Sequence, residues 1–117
     1  MRTALLALTS LAILACSSDS TGSNPPPGSD VSIVSSSGAG AFSPNPFTIS
    51  LATQTSVKWG NATGVPHNLL ADGAVPEFSS GNISSGGTYS HTFTTAGSYP
   101  YTCTIHPSMV GTITVNP

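Results

Sequence analysis

The sequence predicts an all-β sandwich of about eight strands. Three observations carry that expectation. After residue 30, no stretch has the i, i+3, i+4 apolar spacing of an amphipathic helix. Short alternating runs rich in Val, Ile, Thr, Tyr and Phe appear instead. Gly, Pro, Ser and Asn separate these runs, which is the pattern of small sandwiches with tight connections.

The start of the chain stands apart. Met1-Arg2-Thr3 is a short basic opening, and residues 4–15 are apolar but too few for a bilayer-spanning helix. Residues 1–15 are therefore expected to be a secretory signal peptide. The junction Ile13-Leu14-Ala15-Cys16 resembles a bacterial lipobox, which makes Cys16 the expected acylated N-terminus of the mature protein. Leu14 is bulkier than usual there, so ordinary cleavage nearby is the alternative. Residues 16–30 lack apolar periodicity and read as a flexible Ser/Gly/Pro tether, stiffer at Pro25-Pro26-Pro27. Extended, it would reach about 45 Å, enough for an anchored domain to meet partners. Residues 31–117 are the expected domain.

Within it, residues 31–34 form the first expected strand, and residues 35–46, with Phe42, Pro44 and Pro46, read as loop. Alternation over residues 47–51 puts Phe47, Ile49 and Leu51 on one face. After a turn at 52–56, Val57 and Trp59 point inward with Asn61 in phase. A strand over 68–71 follows a corner at His67, and Asp72-Gly73 turns the chain. Phe78 and Ile83 are isolated apolar anchors in a Ser/Gly-rich segment. Tyr89, His91 and Phe93 share a face, and Ala96-Gly97 turns into a strand over 99–103. Gly111 closes the following loop, and residues 112–115 leave it as the last strand.

That loop carries the chemistry. In YPYTCTIHPSMVGTITV, residues 99–115, Cys103, His106 and Met109 follow one another at steps of three. On a strand, three residues span roughly 10 Å and reverse the face, so these side chains would diverge. A tight loop with about three residues per turn brings them together. A thiolate, an imidazole and a thioether aimed at one point form a soft metal site. With a second histidine they match a blue-copper centre, in which methionine is the weak axial donor. His67, in VKWGNATGVPHNLL, is the candidate for that histidine. Each residue has a plainer reading: inert buried cysteine, surface histidine before Pro107, methionine as core filler. Their common spacing argues against three coincidences.

V-x-W-x-N, P-H-N and Y-x-Y-x-C-x-x-H-P-x-M-x-G-x-I-x-V, taken together, resemble the small cupredoxins of plastocyanin, pseudoazurin and amicyanin type. The C-x2-H-x2-M spacing is similar to the short amicyanin form. The resemblance spans roughly residues 31–115 and implies a Greek-key sandwich holding one copper ion that cycles between Cu(I) and Cu(II). Its implied ligands are His67, Cys103, His106 and Met109. Asn68 takes the family's supporting position, its backbone N–H reaching the cysteine sulfur and its side chain bracing the ligand loop. The exposed edge of His106 is the implied electron port, with Pro44, Val65, Pro66, Pro107 and Met109 as candidates for an apolar docking patch. His91 lies outside the motifs and reads as a half-buried structural histidine. The sequons Asn61-Ala62-Thr63 and Asn82-Ile83-Ser84 read as chance matches in a bacterial protein.

Charge narrows the partners. From Cys16 onward the only base is Lys58, against Asp19, Asp30, Asp72 and Glu77. This excludes a basic nucleic-acid surface and leaves too few acids for strong electrostatic steering. The resulting expectation is a monomeric, non-enzymatic one-electron carrier in the bacterial periplasm or cell envelope. It would meet redox proteins through apolar surface and touch the membrane only through a lipid on Cys16. The alternative from another class is an envelope copper-binding module for storage or delivery.

Overall fold

Alternation along the chain becomes two facing sheets in the computed structural model, which describes residues 24–35 and 41–117. Eight strands follow in order: β1 (Val31–Val34), β2 (Ala41–Ser43), β3 (Phe47–Ser50), β4 (Ser56–Asn61), β5 (Leu70–Ala71), β6 (Thr88–Thr92), β7 (Gly97–Thr102) and β8 (Val110–Asn116). One sheet runs β2-β1-β4-β6 and the other β3-β8-β7-β5. Pairing is parallel between β1 and β4 and between β3 and β8, and antiparallel elsewhere. Parallel neighbours cannot be joined by a hairpin, so the chain crosses between the sheets. No helix occurs among the described residues. The expected all-β sandwich is the observed fold.

The inward positions are those that alternation selects. Val31 and Ile33 from β1, Val57 and Trp59 from β4, and Ile113 and Val115 from β8 are all buried. Trp59 sits at the centre, fully buried, with Phe78 tilted against it at 5.3 Å and Tyr101 edge-on at 5.8 Å between ring centroids. Its indole Nε1–H donates to the Tyr101 hydroxyl at 3.1 Å. Burial holds the Tyr101 phenol up at about 12, so it stays neutral and can accept that bond. Gly111 is not a loop closure as expected. It lies within β8, opposite Tyr101 in the β7 register. A Cβ there would come within 2.5 Å of the Tyr101 ring, so the glycine makes room for the phenol.

Two further expectations are corrected. Residues 41–43, read as loop, form β2 and turn Phe42 into the core. One large apolar residue in three carries no period, and pairing to β1 supplies the order. The strand expected over 68–71 shortens to Leu70–Ala71, because Asn68 is drawn to the ligand loop.

The expected signal peptide, Cys16 and residues 16–23 of the expected tether lie outside the described residues. The end of that tether packs on the domain. The Asp30 carboxylate accepts the Lys58 backbone N–H at 2.8 Å and the Gln54 side-chain amide at 3.2 Å. Lys58 Nζ donates to the Pro27 carbonyl at 3.0 Å. Pro26 and Ser29 lie over Gly60 and leave no space for a side chain there.

Candidate metal centre

The connection from β7 to β8 folds back on itself. Cys103 leaves β7 and its N–H donates to the Met109 carbonyl at 3.0 Å, while the Met109 N–H donates to the His106 carbonyl at 2.9 Å. These bonds close the tight turn that steps of three require. They bring His106 Nδ1 to 3.8 Å from Cys103 Sγ. Met109 is buried beneath the turn at 2 % exposure. It therefore cannot belong to the apolar surface patch, in which it was expected.

His67 arrives from the other side. It follows β4 through a bend at residues 63–65, where Pro66 holds the preceding residue to an extended backbone. A backbone bridge with Ile83 then pins it: His67 N–H to Ile83 O at 3.1 Å and Ile83 N–H to His67 O at 2.6 Å. Its Nδ1 also lies 3.8 Å from Cys103 Sγ, and its ring is 4.7 Å from that of His106. The three donor atoms of His67, Cys103 and His106 lie within 4.8 Å of one another.

Exposure is graded across this cluster. Cys103 is fully buried and His67 is 1 % exposed, whereas His106 is half-buried. Burial, and next the neighbouring His106 charge, push the His67 imidazole below its ordinary value, so it stays neutral with a lone pair to offer. Ile105 and Pro107, the chain neighbours of His106, are exposed, and so are Val65, Pro66 and Pro44, with Val65 and Ile105 about half exposed. Ile105 was missed because it sits between two candidate ligands and belongs to no motif.

Asn68 bonds to the turn through both ends of its side-chain amide. Its Nδ2 donates to Thr104 Oγ1 and its Oδ1 accepts the Thr104 N–H, both at 2.7 Å. The expected contact from its backbone N–H to the cysteine sulfur is not among the hydrogen bonds of the described residues; the sulfur faces the two ring nitrogens. A second group of supporting residues was not anticipated. His67 Nε2 lies 2.9 Å from Thr63 Oγ1, which lies 2.7 Å from Asn61 Oδ1, all buried. Asn61 is thus closed to glycosylation, and its sequon marks this network instead. His91 stands apart, paired with Glu77 at 3.2 Å and packed by Phe78 and Phe93.

The donor set fits a first-row transition ion. Metal–nitrogen and metal–sulfur bonds of about 2.0–2.3 Å, meeting at trigonal or tetrahedral angles, leave donors roughly 3.3–4 Å apart. The two 3.8 Å separations fall in that range. One thiolate with two imidazoles is the equatorial set that copper takes in blue-copper sites. Fold and site together define a mononuclear copper-binding β-sandwich.

Comparison with known proteins places the chain within that class. The family described as copper binding proteins, plastocyanin/azurin family, matches residues 29–116. Plastocyanin from Scenedesmus fuscus is 34% identical over 97 residues, covering 74% of this chain and 99% of that protein. The purple cupredoxin from Nitrosopumilus maritimus superposes with a TM-score of 0.66 at 31% identity, covering 75% of this chain and 99% of the other. An oxidized amicyanin mutant does so with a TM-score of 0.64 at 27% identity, covering 74% and 79%. The protein belongs to the plastocyanin/azurin family of copper-binding cupredoxins, and His67, Cys103 and His106 form a site able to hold its one copper ion.

Proposed function

We propose that this protein is a blue-copper one-electron carrier of the bacterial cell envelope, with Met109 completing the ligand set as a weak axial donor. The observation that carries the reading is the pair of Nδ1 atoms facing one buried sulfur at 3.8 Å each, with only His106 reaching the surface. Bound copper supplies a Cu(II)/Cu(I) couple. The chain's own residues hold the donors still: the turn bonds from Cys103 to Met109, the Asn68–Thr104 brace, and the His67–Ile83 bridge. A site so held changes little between oxidation states, which favours electron exchange over bond-making chemistry. Burial of Cys103 and His67 excludes water from the sulfur.

His106 is then the path for the electron, and the apolar surface of Val65, Pro66, Ile105 and Pro107 around it suits short-lived docking of a redox protein. The domain acts as a monomer and is exported, held to the membrane by a lipid on Cys16. Protein-film voltammetry on the copper-loaded domain tests the carrier role. A reversible one-electron couple with fast self-exchange is expected. Irreversible loss of copper on reduction, with transfer of Cu(I) to an acceptor, would instead favour storage or delivery.

A further inference from the structure

We propose that Thr63, held by Asn61, is a positioning residue that locks the His67 imidazole as its Nε2–H tautomer and so presents the Nδ1 lone pair to the metal. The inference deepens the copper reading of the site and rests on it. Counting donors and acceptors around Thr63 supports it. Asn61 Nδ2 lies 2.8 Å from the Val65 carbonyl and 2.9 Å from the Ile83 carbonyl. Both neighbours only accept, so this end of the amide must be the donor. Asn61 Oδ1 is then an acceptor, already taking the Thr63 backbone N–H at 2.9 Å.

The Thr63 hydroxyl has one proton. Two of its neighbours can only accept: Asn61 Oδ1 at 2.7 Å and the Val65 carbonyl at 2.9 Å. The proton must point to one of them. The hydroxyl therefore meets His67 Nε2, at 2.9 Å, with a lone pair. That nitrogen must carry the hydrogen, and in a neutral imidazole Nδ1 is then bare. Nδ1 is the atom facing Cys103 Sγ. The opposite tautomer would spend the Thr63 proton on Nε2 and leave two carbonyl-type oxygens against an oxygen with no hydrogen between them. Asn61 and Thr63 are 0 % and 3 % exposed, so water does not relieve that arrangement. Asn68 braces the ligand turn, whereas Thr63 sets which nitrogen of His67 is the donor. Ligand histidines depend on such outer partners for ring orientation and basicity.

The test is long-range 15N–1H NMR of the His67 ring in the metal-free protein above neutral pH, with copper titration alongside. Wild type should show a protonated, slowly exchanging Nε2 and an unprotonated Nδ1. Thr63→Val should lose the slow proton, mix the tautomers and weaken Cu(I) binding roughly 10–100-fold. Thr63→Ser should restore both. A wild-type Nδ1–H tautomer, or a Thr63→Val protein with unchanged tautomer and affinity, overturns the proposal. If Thr63→Val does not fold, the wild-type tautomer still decides. Failure of the copper reading would look different: no copper bound by wild type, whatever its tautomer.

Discussion

Met109 and His67 are both buried, and each has its own measurable consequence. Met109 is the proposed axial donor, and the axial ligand tunes potential. A thioether favours Cu(II) slightly, so Met109→Leu should keep copper and raise the midpoint potential in voltammetry. No shift would mean that Met109 only fills the core. His67 bears on acid stability. Its folded pKa lies below the ordinary value of 6.5, first through burial and next through His106. Just below 6.5 the unfolded chain thus binds more protons than the folded one. The stability that the neutral ring confers is whole above 6.5 and is lost progressively as pH falls from there towards the folded pKa. Urea midpoints of the metal-free protein should drop as pH is lowered below 6.5, and His67→Gln should flatten that drop.

The elements show which parts of the fold could be read from residues alone. Val57, Trp59 and Asn61 alternate, and β4 buries all three. Cys103, His106 and Met109 step by three, and the turn folds accordingly. β2 was illegible because Phe42 has no apolar neighbour at period two, so its order comes from the partner strand. Thr63 was illegible because its role arises from a bend that returns it to a histidine four residues on. Gly111 was misread because the ring that needs its space, Tyr101, lies across the sheet. That register yields a prediction. Gly111→Ala would drive a Cβ into the Tyr101 ring, which cannot swing aside without breaking its bond to Trp59. A loss of about 1–3 kcal/mol is expected, lowering the thermal midpoint by at least about 4 °C. Unchanged melting would show that the ring relaxes freely.

At the scale of the whole molecule, the sandwich carries the copper site at one turn, and residues 26–30 are fastened along β4. Asp30 and Lys58 make that fastening, so two of the few charged side chains serve the join. Val65, Pro66, Ile105 and Pro107 remain exposed. Anchoring through Cys16 is tested by fractionation: Cys16→Ala should move the protein from membranes to the soluble envelope fraction, or block its processing, with copper binding intact. Equal distribution of wild type and mutant would refute lipidation.

Copper binding here rests on Cys103 giving the ion a thiolate beside His67 and His106. The visible absorption spectrum of the copper-loaded domain tests it most directly, with Cys103→Ser measured beside it. An intense thiolate-to-copper charge-transfer band is expected that vanishes on reduction, returns on oxidation, and is absent from a still-folded Cys103→Ser protein. A wild-type protein that binds Cu(II) without that band, or a Cys103→Ser protein that keeps it, would show that Cys103 is not the copper ligand.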